Sequence, residues 1–265
     1  MAIICFASAS GAPGVTTSVL ALGLCWPRRC MILEADPSGS SAINAGLYRS
    51  HAPERGVIDL AMAQRQGTLG TDIHNIWIKP PEGTTTVSDV RLILGPRSHG
   101  QAKNLTTLWE PLAESLRSMD RTGIDVLVDV GRLGTNASPT PLLRAADLTL
   151  LVTRTSLPDL AGARGWAAQL SADYATLGEM TGLGLLLIGS GRPYRPKEIS
   201  ASLRLPVIAE IAWDPKTADV YHLGTQPKRH RFREAPLTRS AHSAASAIRT
   251  VITENQNRLG ARTHG

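Results

Sequence analysis

Seven stretches of this chain are almost wholly apolar, and the segments between them repeat apolar residues every three to four positions. The apolar stretches are AIICFAS (2–8), CMILEA (30–35), VRLILG (90–95), DVLVDV (125–130), LTLLVT (148–153), LGLLLIG (183–189) and PVIAEIA (206–212). Short, rich in Val, Ile and Leu, and mostly flanked by turn-forming residues, they read as strands. They do not alternate apolar with polar, as expected of strands buried on both faces. The intervening segments predict helices over 16–25, 38–47, 57–64, 105–119, 138–145, 157–172, 196–203 and 237–257. Strands and helices in alternation predict an α/β fold, a mostly parallel doubly wound sheet of about seven strands with helices on both faces. Residues 66–104 and 224–236, rich in Gly, Pro, Thr and basic side chains, are expected to be surface loops. No repeat or long linker breaks the pattern, so residues 1–265 are expected to form one domain.

An apolar fraction of 42% supports a substantial core. Lys and Arg total 28 against 22 Asp and Glu, a formal net charge of +6 that does not by itself argue for nucleic acid. The excess lies near the C-terminus, where Lys228, Arg229, Arg231, Arg233, Arg239 and Arg249 meet a single acid, Glu234. Such a run suits DNA, anionic lipid or an acidic protein, and equally a solvated loop and helix face. Cys5, Cys25 and Cys30 form no CxxC pair and read as small buried apolar residues in a reducing, cytoplasmic setting. With no basic and apolar leader, and no run near the roughly 18 apolar residues a spanning helix needs, no transmembrane segment is expected.

The segment ASGAPGVTT (9–17) joins the first strand to the first helix. A strand, a Gly-rich turn and a Thr at the start of a helix place backbone N–H groups and a helix N-terminus around an anion. Gly11 and Gly14 suit the backbone angles of such a loop, and the Thr16 hydroxyl is placed to reach Mg2+. The P-loop pattern asks for a lysine before Thr16, where this chain has Val15. A Gly turn with a Thr cap also occurs in any doubly wound fold, so this segment alone leaves both readings open. Two carboxylate motifs bear on the choice. MILEADPSGS ends one strand with Glu34 and Asp36, and IDVLVDVGRLG ends another with Asp129 and Gly131. Open α/β sheets bind ligands at those strand ends, and an acid there can hold a metal directly or through water. Asp36 before Pro37 also suits a turn or cap, and Asp129 suits a cap of the next segment.

In order, SGAPGVTT, EADPSG, GVIDLA, IDVLVDVGR, LLRAADLTLLVT and LPVIAEIAWDP resemble the ParA/MinD superfamily of deviant Walker A P-loop ATPases, from residue 2 to about residue 224. Within it the chain is similar to the divergent actinobacterial type and to the TadZ/CpaE branch, associated with pilus or secretion machines, which tends to lose the P-loop lysine. Against the family motif KGGxGKTT, Ser10 stands at the signature lysine, Gly11 and Ala12 at the glycines, and Pro13, Gly14, Val15, Thr16 and Thr17 follow. Both lysines are absent. The resemblance implies that residues 11–17 hold the phosphates of ATP or ADP and that Thr16 and Asp129 hold Mg2+, with Asp36 a further candidate ligand. It also implies that Asp36 orients the attacking water in any hydrolysis, and Glu34 replaces the first Asp of its motif.

Phosphoryl transfer rests on positioning and charge stabilisation, so without both cations hydrolysis is expected to be slow or absent. Arg132, Arg154 and Lys103 are candidates for replacement charge, with an ordinary surface role as the alternative for each. The resemblance puts the base near the loops at 189–196 and 213–218, where Tyr194 and Trp213 suit either stacking or packing of the next helix. The C-terminal segment carries Leu237, Ala241, Ala244, Ala245, Ile248, Val251 and Ile252 at near-helical spacing, and is expected to pack on the sheet rather than on a membrane.

The function so implied is a nucleotide-binding switch that positions a pilus, secretion or partition complex through a protein partner, the family's form being a nucleotide-dependent homodimer. The alternatives are a nucleotide-free pseudo-ATPase scaffold and a partition protein that binds DNA non-specifically through residues 228–233.

Overall fold

The computed structural model describes residues 1–265 except 10–13, 40, 50–54, 82–83, 85–88, 177–181, 192, 226–228 and 264–265. Each of the apolar stretches becomes a strand: β1 Ile3–Ser8, β2 Cys30–Glu34, β3 Val90–Ile93, β4 Asp125–Arg132, β5 Leu148–Arg154, β6 Leu183–Ile188 and β7 Val207–Ile211. All pair in parallel in one sheet of order β3-β2-β4-β1-β5-β6-β7. Parallel neighbours need long crossovers, and helices supply them. In chain order these are α1 Val15–Gly23, α2 Ala42–Ala45, α3 Val57–Gln66, α4 Leu69–Asp72, α5 His99–Lys103, α6 Trp109–Ser118, α7 Thr140–Arg144, α8 Leu157–Thr176, α9 Pro196–Leu203, α10 Pro215–His222, α11 Arg229–Glu234 and α12 Pro236–Thr263.

Successive strand residues point to opposite faces, so each strand feeds two cores. Ile4 and Phe6 of β1, Ile32 of β2, Leu127 of β4 and Leu150 and Val152 of β5 pack with Val19 of α1, Val220 of α10 and Ile248 of α12. Ile3, Cys5, Met31, Val128 and Leu151 pack with Leu60 of α3, Leu112 of α6 and Ala163 of α8. Helices therefore cover both faces. Cys5, Cys25 and Cys30 are buried and unbridged; burial pushes the Cys25 thiol up to about 12 and raises the other two, so they behave as the small apolar residues expected.

The helices depart from expectation in instructive places. The stretch 38–47 gives only the single turn α2, because Pro37 and Gly39 turn the chain ahead of it and the Ser41 hydroxyl caps it by accepting from Asn44 N at 3.1 Å. Residues 104–108 form turns that bring Leu105 and Leu108 into the core, so α6 starts four residues later than the pattern suggests. Helix α10 appears where a loop was expected: Pro215 stands at its first turn and Asp214 caps it, accepting from Thr217 N at 3.2 Å. The basic stretch, also expected as loop, carries α11. Phe232 of that helix is buried edge-on against Tyr221 at 6.1 Å, which leaves His230, Arg231 and Arg233 exposed. Lys228 lies outside the described residues. The long α12 buries Leu237, Ala241, Ala244, Ala245, Ile248 and Ile252 against the sheet, as its apolar face predicts. Among the described residues no helix is long and apolar enough to cross a membrane.

At the N-terminal edge of the sheet Asp125 is fully buried and joins three parts of the chain. Its Oδ1 accepts from Ala2 N at 3.0 Å, and its Oδ2 from Trp26 Nε1 at 3.0 Å and Arg249 Nη1 at 2.9 Å. Removing this acceptor strands three donors in a dry environment. Asp125→Ala is expected to cost about 3 kcal/mol or more in urea unfolding, and Arg249→Met distinctly less; a loss below about 1 kcal/mol for Asp125→Ala would contradict this role.

Candidate functional site

At the opposite, C-terminal edge, strand periodicity decides which side chains meet. The α1 face takes every second residue, so the last such positions are Ser8 of β1, Asp129 and Gly131 of β4, Arg154 of β5, Ile188 of β6 and Ile211 of β7. Helix α1 rises over this row from Gly14, which has the left-handed φ of +101°. Among the described residues no side chain caps α1, and its first turn holds no acid, so its N-terminal amides present a positive end. Ser10, Gly11, Ala12 and Pro13 lie outside the described residues. Gly14, Val15, Thr16 and Thr17 line a cavity of ≈ 640 Å³ that opens along this edge, a size typical of sites for small ligands. Val15, at the position of the absent lysine, is buried with the apolar core.

Asp129 is fully buried beneath this loop. Its Oδ1 accepts from Gly131 N at 2.9 Å, while Oδ2 has no hydrogen-bond partner among the described residues. Burial raises its pKa from 3.8 to about 7, aided by the charges of Asp36 and Glu34 and opposed by the Thr16 hydroxyl and the Gly131 amide. Asp36 sits directly across from it. A Cβ on Gly131 would come within 2.3 Å of Asp36 Cγ, and the φ of Gly131 is +69°, so space and backbone both require glycine here. The Oδ1 of Asp36 accepts from Ser38 N at 2.8 Å, a turn that aims the carboxylate at the strand ends.

Glu34 does different work. It is buried, and although burial raises its pKa it accepts from Ser41 Oγ at 2.5 Å, Gly95 N at 2.8 Å and Ile43 N at 3.3 Å. It fastens β2 to α2 and to the chain after β3. Buried and saturated with donors, it is a structural carboxylate.

The other candidates divide. Arg132 and Arg154 both line the cavity, Arg132 exposed and Arg154 half-buried, whereas Lys103 is exposed at the end of α5 and away from the lining. Trp213 also lines it, 57% exposed, with the Arg154 guanidinium 4.5 Å over its ring. Tyr194 packs against the core of the opposite face and takes no part. His222, unsuspected from sequence, reaches the loop: its Nε2 lies 3.3 Å from Thr17 Oγ1. A lone histidine at the end of a short helix carries no sequence signal.

Among the described residues no group of three or more His, Cys, Asp or Glu could hold a metal unaided. Thr16 and Asp129 do fit Mg2+, which is commonly held by one or two protein oxygens together with phosphate and water; the orphaned Oδ2 of Asp129 is the observation that favours this fit.

A parallel sheet of this order, with a glycine turn leading into α1 and acids at the ends of two strands, has the fold of the ParA/MinD P-loop ATPases. No protein-family model and no curated protein matches the sequence. Among solved structures, the cell division ATPase MinD of Pyrococcus furiosus superposes with a TM-score of 0.70 at 17% identity, covering 94% of this chain and 99% of that one. A ParA family ATPase from Chlorobium tepidum TLS gives 0.69 at 15% identity over 92% and 98%. The septum site-determining protein MinD of Pyrococcus horikoshii OT3, complexed with Mg-ADP, gives 0.67 at 17% over 93% and 95%. At such identities the likeness establishes the fold.

The raised pKa of Asp129 has a sign that can be checked. Between pH 4 and 7 the folded chain holds a proton that the unfolded chain has lost, so stability falls as pH rises through this window and levels off above it. In metal-free protein Asp129→Asn is therefore expected to match the parent near pH 4 and to exceed it at pH 8 by about 2–4 kcal/mol in urea unfolding. An equal difference at both pH values would show that Asp129 is not held in the protonated form.

Proposed function

We propose that this chain is a ParA/MinD-like nucleotide-binding switch or positioning protein that holds ATP or ADP with Mg2+ and hydrolyses slowly or not at all. The observation that carries the reading is Asp129, buried with an unpartnered Oδ2 below the uncapped start of α1. A buried carboxylate oxygen without a partner destabilises the fold, and a metal-nucleotide ligand is what makes its retention intelligible.

Thr16 and Asp129 would hold Mg2+, which supplies positive charge to the phosphate oxygens. The backbone of the turn and the α1 N-terminus would hold the phosphates, and Asp36 would orient water. Ser10 and Val15 stand where the family has its lysines, so two charges on the transferred group are missing. Loss of one such group costs roughly 100-fold to 1000-fold in rate, which leaves binding as the main output of the site. The structural neighbours include MinD in complex with MinC of Aquifex aeolicus, and a protein partner of a pilus, secretion or partition assembly is the matching proposal here, with a homodimer closing around nucleotide. The TadZ/CpaE-like, lysine-deficient branch remains the proposed affiliation.

Calorimetric titration with ATP and ADP is expected to show binding that requires Mg2+ and is weakened at least tenfold by Thr16→Ala and by Asp129→Ala. Absence of binding to the parent protein, with or without Mg2+, would sink the switch and leave a nucleotide-free scaffold.

A second reading rests on α11, where Phe232 is anchored and Arg231 and Arg233 face outward. That surface suits a polyanion such as DNA. Double-stranded DNA binding is then expected to weaken steeply between 50 and 200 mM salt and to lose slope in an Arg231→Gln, Arg233→Gln variant; binding indifferent to both would exclude α11 as the contact.

A further inference from the structure

The missing lysines leave open which group neutralises a phosphate chain in the cavity, and β5 offers an answer. Its α1-face column runs Leu148, Leu150, Val152, Arg154, three buried aliphatic residues followed by a cation. In register, Val152 pairs with Ser8 of β1 and Arg154 with Ile188 of β6. The methyl of Ile188 lies 3.2 Å from where a Cβ on Gly14 would stand. Arg154 is thus one residue pair away from the base of α1, half-buried in the cavity wall.

Its orientation is fixed from the other side. The guanidinium carbon lies 4.5 Å above the ring of Trp213, which lines the same cavity. A phosphate takes the N–H edge of a guanidinium, and a cation–π contact does not consume those donors, so the two contacts are compatible. Asp36, Asp214 and Asp219 line the same cavity, where Asp36 accepts from Ser38 N and Asp214 from Thr217 Oγ1 at 2.6 Å. Arg132 lacks both the burial and the stacked partner, and Lys103 is away from the lining.

The geometry points to Arg154, stacked on Trp213, as the residue that binds the terminal phosphates of a di- or triphosphate ligand, supplying from β5 and within one chain the charge that Ser10 and Val15 do not. The inference rests on the nucleotide reading above for the identity of the ligand, but not for its phosphate chemistry. An arginine fork binds phosphate bidentately, so a lysine in its place restores charge without geometry.

The test is equilibrium binding of Mg-ATP, AMP and inorganic tripolyphosphate to the parent protein and to Arg154→Gln, Arg154→Lys and Lys103→Gln, each first checked by thermal melting. Arg154→Gln is expected to weaken Mg-ATP and tripolyphosphate at least tenfold and AMP less than threefold, Arg154→Lys to recover part of the loss, and Lys103→Gln to match the parent. Tryptophan fluorescence should respond to tripolyphosphate in the parent and not in Trp213→Phe. If Arg154→Gln binds Mg-ATP and tripolyphosphate within threefold of the parent, the assignment of Arg154 is overturned and the nucleotide reading stands. If the parent takes tripolyphosphate but not ATP, and Arg154→Gln loses it, Arg154 is upheld and the nucleotide reading falls. If the parent binds neither, both are overturned.

Discussion

The parallel pairing of β1 between β4 and β5 is the constraint from which the rest of the molecule follows. Strands that all run one way can be joined only by crossovers, and crossovers on both sides of the sheet bury both faces of the central strands. Each strand must then be apolar on both faces until it reaches the C-terminal edge, where the chain turns away. At that edge polar side chains gather from several neighbouring strands. Ser8, Asp129, Gly131 and Arg154 all lie on the α1 face near the C-terminal ends of neighbouring strands, Asp129 level with Phe6 and Arg154 two residues beyond the level of Ser8.

Three buried carboxylates of the sheet differ in how they are satisfied. Asp125 at the N-terminal edge accepts three hydrogen bonds and joins β1, Trp26 and α12. Glu34 accepts three more and fastens the turns after β2 and β3. Both are satisfied by the protein itself, as buried charges in a stable fold ordinarily are. Asp129 is not, and its neighbours Asp36 and Glu34 add negative charge rather than relieve it. The site thus opposes the stability of the fold that surrounds it, a common signature of positions shaped by a ligand.

The same edge is unusual in where its positive charge comes from. A P-loop ordinarily carries lysine within the turn, but here the turn carries Ser10 and Val15, and Val15 has joined the apolar core. The cations that line the cavity sit on β4 and β5, outside the loop.

Much of this was legible in the chain itself. Continuous apolar runs bounded by turn residues determined the seven strands, because burial on both faces removes any polar alternation and leaves a signal that tertiary context cannot override. The Gly turn before Thr16 and the acids at 36 and 129 were legible for the same reason: they interrupt apolar strands at their ends. Short helices were not, since α2, α10 and α11 are set by single caps and anchors, Ser41, Asp214 and Phe232, whose worth depends on what they meet. Nor could sequence say that Glu34 is satisfied while Asp129 is not, that Tyr194 faces away while Trp213 lines the cavity, or that His222 reaches Thr17 from 205 residues away. Those distinctions depend on distances between residues remote in the chain, which only the packing of the crossovers fixes; the periodicity of the strands determined which side chains would stand at the edge, and the tertiary structure decided which of them would meet.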